Sequence, residues 1–195
     1  MVHKVNPKAQ AQSALKGIHS MSLHVKIITG LIFQQESLAT EALLSLCELT
    51  RMTLQQTSVS IPFDKTDYYA PEMGSALFRK FVSFAGIVSL EQIHRWKQHT
   101  SQIEQQFSIN GQRQVNLDPG YIDLHKLVLL SSKPGSHKVY LADGVWADMT
   151  LMKNRQGFET FRWTFPDLKE NTWHPFFLDV RLAYKRELKA IANQD

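Results

Sequence analysis

With 195 residues and 43% hydrophobic content, the chain is long enough for one domain with a proper core and needs no second. Most of its net charge of +4 belongs to the first 24 residues, where Lys4, Lys8 and Lys16 have no acidic counterpart; beyond them 19 basic residues face 18 acidic ones. That near-neutral body lacks the electrostatic footprint of a duplex-binding domain, and a lone cysteine, Cys47, excludes an internal disulfide and a cysteine-rich zinc site.

Residues 1–24, rich in Lys, Gln, Ala and Ser without a sustained apolar stripe, read as a flexible basic tail, and 25–195 as a single α+β domain. The run 25–33 is apolar on both faces, which predicts an interior strand. Ser37 is placed to cap a helix carrying Leu38, Leu43, Leu44, Leu46 and Cys47, and 53–61 resumes a β-like mix. A loop over 62–75 precedes a strand over 77–88. Ser89-x-x-Gln92 has the form of a capping box, with Ile93, Trp96, Ile103 and Phe107 at helical spacing behind it.

Asn110-Gly111 and Asp143-Gly144 mark tight turns, and 154–157 marks a third. Phe158 to Phe165 alternates apolar and polar, predicting one more strand of an antiparallel meander, and Phe176, Phe177, Val180, Tyr184 and Leu188 define a closing helix. The order β-α-β-β-α-β predicts a ferredoxin-like core, extended by the meander and the C-terminal helix. No run of eighteen apolar residues and no apolar leader occurs, so the expectation is a cytoplasmic protein without a membrane partner.

Several long motifs follow one another along the chain: Pro62-Phe63-Asp64-Lys65-Thr66-Asp67-Tyr68-Tyr69-x-x-Glu72-Met73-Gly74, Arg79-Lys-Phe-Val-Ser83-Phe, Val115-Asn-Leu-Asp-Pro-Gly-Tyr121, Lys126-Leu-Val-Leu and Thr164-Phe-Pro-Asp167. In them the chain resembles the prokaryotic family known as domain of unknown function 4416, over roughly residues 25–188. The resemblance implies a grouping and no mechanism. The sequence has no Gly-x-x-x-x-Gly-Lys-Ser/Thr loop.

Charged and hydrogen-bonding side chains recur inside the apolar runs from 113 to 140, where they are costly without a partner or a ligand. Arg113, Lys126 and Lys133 are suited to phosphate or carboxylate oxygens, and Asn116 and Tyr121 of the same stretch join them as ligand-binding candidates. On the other reading the lysines stand on a solvated face and Arg113 pairs with Asp118 or Asp123. Asp118 and Asp148 form a candidate carboxylate pair for magnesium, although an Asp before Pro-Gly also shapes turns. Tyr68 and Tyr69 can stack on a base, with Glu72 or His137 as the acid or base.

Two functions fit these parts. One is binding of a small anionic or phosphorylated metabolite or nucleotide, with magnesium-dependent phosphoryl or nucleotidyl transfer as the chemistry it would support. The other is a non-catalytic module recognising protein or single-stranded RNA through exposed aromatics. They differ in geometry: the first requires Arg113, Asp118, Lys126, Lys133 and His137 to converge on one cleft beside Glu72.

Overall fold

The computed structural model describes residues 23–193, so all of the expected tail but its last two residues lies outside them. The first half comprises β1 (His24–Phe33), α1 (Glu36–Thr50), β2 (Leu54–Thr57), β3 (Ile61–Pro62), α2 (Ala70–Met73), β4 (Phe78–Phe84), β5 (Val88–Ser89) and α3 (His94–Gln106). The second comprises β6 (Ser108–Ile109), β7 (Gln112–Arg113), β8 (Val115–Ile122), β9 (Lys126–Ser131), β10 (Lys138–Ala142), β11 (Val145–Lys153), β12 (Phe158–Thr160), α4 (Pro166–Lys169) and α5 (His174–Ala192).

A mixed α and β architecture results, built on a large antiparallel sheet in the order β10-β11-β9-β8-β1-β4-β2. The short strands β12, β3 and β5 pair with β11, β4 and β1. β1 lies between β8 and β4 with nine of its ten residues buried, as a strand apolar on both faces must be. Alternate side chains divide the core into two. Val25, Ile27, Leu31 and Phe33 meet α1 and α3 through Leu43, Leu46, Trp96 and Ile103. Ile28, Phe81, Ile122, Leu127 and Leu129 meet Trp173, Phe177 and Val180 at α5.

The structure corrects several local expectations. α1 starts at Glu36, not after Ser37, and its N-cap Gln35 makes no side-chain cap bond. Ser89 does cap, but it caps a 3-10 turn, Leu90–Gln92, accepting from Glu91 N, and α3 begins after it. The 53–61 strand is split into β2 and β3, and the 62–75 loop contains the helical turn α2. The strand over 77–88 ends at Phe84, because the chain turns at Gly86 with φ 81°. Asn110-Gly111 and Asp143-Gly144 turn as expected, all four residues having positive φ.

The alternation from 158 to 165 ends as a strand at Thr160. Thr164 Oγ1 accepts from Phe161 N–H at 2.8 Å and donates to Thr150 C=O at 2.7 Å, folding the segment back before Pro166 opens α4. A local side-chain bond there outcompetes the ladder. Among the described residues no helix is long and apolar enough to cross a membrane.

Candidate functional site

A cavity of about 330 Å³ opens where β8 and β9 part company. Their paired register runs only from Gly120↔Leu129 to Ile122↔Leu127. The next residue toward the start of β8 is Pro119, which has no N–H to give a ladder. Beyond it Leu117 N–H donates to Glu104 Oε1 at 2.7 Å and Leu117 C=O accepts from Lys97 Nζ at 3.3 Å, so two side chains of α3 bond to β8 there. The Asp-Pro-Gly expected to form a turn is thus mid-strand, and its proline marks the edge of the gap. Gly120 is the last close approach: a Cβ there would collide with the Val128 carbonyl.

Arg79 forms the centre of the polar lining. It stands on β4 opposite Ile32, and Asp118 stands on β8 opposite Gly30, with β1 between them. Because Gly30 has no side chain, the guanidinium can cross β1, placing Nη2 at 3.4 Å from Asp118 Oδ2. Its Nη1 is 2.8 Å from Asp167 Oδ2, without the alignment of a hydrogen bond. Phe63 and Phe81 flank the cation at 5.5 and 4.9 Å. Burial pushes the Asp167 carboxyl above its ordinary range, against the pull of Arg79.

Arg113 holds the far side. Its Nε and Nη2 donate to Glu72 at 2.7 and 2.6 Å, its backbone N–H donates to the same carboxylate at 3.1 Å, and its Nη1 donates to Asn116 Oδ1 at 2.6 Å. Hydrogen bonds from Arg113 hold the Glu72 carboxyl below its usual range. Behind it, burial pushes Glu104 up, with Lys97 at 4.0 Å and Arg113 at 3.8 Å as counter-charges. Tyr69 packs edge-on against Phe63 and Tyr68 inside the lining, and burial raises its hydroxyl pKa. Lys133 donates to the Tyr68 hydroxyl, joining the loop after β9 to the loop before α2.

Six of the sequence candidates therefore meet at the cavity: Arg113, Asn116, Asp118, Lys133, Tyr68 and Tyr69 line it. Glu72 adjoins it, fully engaged by Arg113. The others go elsewhere, so of the five side chains expected to converge only Arg113, Asp118 and Lys133 do, and the remaining cations of the lining are Arg79 and Lys97 instead. Lys126 pairs with Asp123 at the opposite end of β9 from Ser131, roughly 17 Å along the strand. Tyr121 points to the face covered by α1 and α3, its hydroxyl pushed up to about 12 by burial. His137 stacks on Trp163 and lies 3.5 Å from Asp148, whose second neighbour is Lys138. Asp118 and Asp148 thus keep separate partners, Arg79 for the first and His137 with Lys138 for the second. Among the described residues no group of three or more His, Cys, Asp and Glu is placed to hold a metal.

Arg79, Lys97 and Asp167 were not anticipated. Arg79 gave the same signal as Arg113, a charge inside an apolar strand run, and that signal could have found it. Lys97 gave none, since only the β8–β9 gap draws it inward. Asp167 follows Pro166 outside any apolar strand run, so it gave no such signal.

Residues 23–184 match a family described as domain of unknown function (DUF4416). The chain belongs to this family. No curated protein and no solved structure matches it. The family match covers every residue that lines the cavity.

Proposed function

We propose that the cavity binds a small phosphorylated metabolite or nucleotide. One observation carries this reading: the buried donors Arg79 Nε and Asn116 Nδ2 have no partner among the described residues, and both residues line the cavity. Leaving such a donor unmade costs about 1–3 kcal/mol, which an anionic oxygen seated against these residues would offset. Lys97, Arg113 and Lys133 add positive charge around it, while Phe63, Tyr69 and Phe165 supply flat walls for a sugar or base. The engagement of Glu72 by Arg113, and the pairing of His137 outside the lining, favour recognition over proton transfer.

The scaffold reading that accompanies this proposal is a ferredoxin-like core. β1, α1, β2, β4, α3 and β8 follow the β-α-β-β-α-β sequence, and the order β8-β1-β4-β2 suits that split arrangement. A cytoplasmic location goes with a ligand of this class.

Thermal denaturation of the full chain with a panel of mononucleotides and sugar phosphates tests the proposal. A ligand present at about 100 times its dissociation constant stabilises by about 2.7 kcal/mol. The expected outcome is a stabilisation that Lys97→Met and Lys133→Ala each diminish. A panel without effect, or an effect indifferent to both substitutions, would sink the reading.

A further inference from the structure

Anion capture leaves the acidic half of the cavity without a role. Asp118 and Asp167 line it at the two ends of the Arg79 guanidinium, where they would repel a phosphate. Asp167 Oδ2 is buried and accepts no aligned hydrogen bond among the described residues, Arg79 Nη1 standing 2.8 Å away but out of line, and Asp118 keeps about a quarter of its side chain exposed. Of the six buried polar side-chain atoms left unpartnered there, three belong to lining residues: Arg79 Nε, Asn116 Nδ2 and Asp167 Oδ2. Two are donors and one is an acceptor, so a ligand that satisfies them must carry donors as well as acceptors.

Three kinds of group could meet the carboxylates. A metal ion would compete with Arg79, which already places its charge between them. An ammonium would enter a lining in which Arg79, Lys97, Arg113 and Lys133 outnumber the two acids. Hydroxyl groups donate without adding charge, and a carboxylate can accept from two neighbouring hydroxyls at once. We propose that Asp118 and Asp167 read the hydroxyls of a sugar, so that the ligand is a sugar phosphate or ribonucleotide with an intact vicinal diol. This rests on the anion-binding reading above and adds a second point of recognition to it. A volume of about 330 Å³ suits one sugar phosphate or mononucleotide and is too small for a dinucleotide.

Calorimetric titration of the full chain with inorganic phosphate, ribose 5-phosphate, 2-deoxyribose 5-phosphate, AMP and 2′,3′-dideoxy-AMP tests it. The hydroxylated member of each pair should bind about 10- to 100-fold tighter than its deoxy counterpart, because a buried carboxylate left without its donor is penalised. Asp167→Asn should shrink that ratio without weakening inorganic phosphate. Asp118→Asn provides the same comparison if Asp167→Asn does not fold, and far-ultraviolet circular dichroism reports folding for both. Equal affinities within both pairs, or binding of inorganic phosphate alone, would overturn the diol inference and leave anion binding standing. No binding by any of the five compounds would overturn both.

Discussion

Gly30 and Glu72 show how single residues set the cavity. A Cβ on Gly30 would lie 2.7 Å from Phe81 Cε1 and 3.3 Å from Arg79 Nη2, so Gly30→Ala must displace a packed ring or the guanidinium. Overpacking of this kind costs about 1–3 kcal/mol, and the urea midpoint should fall accordingly, with weaker ligand binding as Arg79 leaves Asp118. An unchanged midpoint would mean that Gly30 is not what lets Arg79 cross β1. Glu72 gives a pH signature. Arg113 holds its carboxyl below the ordinary value of 4.5, so the folded chain favours the ionised form. The stability this contributes is present above that value and is lost as pH falls through the lowered one. Glu72→Gln should therefore be less stable than the wild type at neutrality and should lose less on acidification below about pH 4.5, as measured by denaturant melts across that range. Parallel acid limbs for the two proteins would contradict it.

At the scale of elements, what could be read in the sequence was what local physics decides. The buried strand β1, the helices α1, α3 and α5, and the turns at Asn110-Gly111 and Asp143-Gly144 follow from apolar periodicity and positive-φ chemistry. The end of β12 depends on a hydroxyl bond from Thr164 to Thr150, a contact across fourteen positions that no alternation pattern records. Likewise Asp118-Pro119-Gly120 carries turn residues but lies in a strand, because β1 pairs with it on one side while β9 diverges on the other. The same divergence brought Lys97 and Asp118 into one cavity and left Lys126 and His137 outside it. One long-range tie between elements can be tested by itself. Lys26 of β1 is fully buried and donates to Glu187 of α5 at 2.6 and 2.8 Å, and to Gly86 C=O at 3.2 Å. Burial lowers the Lys26 pKa even though Glu187 opposes the shift. Glu187→Ala strands a buried ammonium and should cost about 3–5 kcal/mol, whereas Lys26→Met with Glu187→Leu should be nearly neutral. A single substitution costing under about 1 kcal/mol in urea denaturation would show that this tie does not fasten α5 to the sheet.

For the molecule as a whole, one sheet serves two cores. Ile27 and Ile28 are adjacent in β1, yet the first packs with the α1 and α3 side and the second with the α5 side. Neither core can lose its strands without exposing the other, so the two sides should unfold together even though their helices do not share side-chain clusters. Two tryptophans are placed to test this. Trp96 of α3 is 5% exposed against Phe84 on one side, and Trp173, just before α5, is 1% exposed against Phe81 on the other. Variants keeping only Trp96 or only Trp173, with the remaining tryptophans changed to Phe, report the two sides separately by fluorescence. Each substitution alters stability, so each variant is compared with its own circular dichroism transition. The expected result is coincidence of the fluorescence and dichroism midpoints within each variant, with the same dependence on denaturant. An earlier fluorescence transition in the Trp173 variant alone would mean that α5 undocks before the sheet unfolds. Because Phe165, Pro166 and Asp167 lie just ahead of that helix and line the cavity, such undocking would also loosen the site, and ligand would then shift the early transition more than the late one.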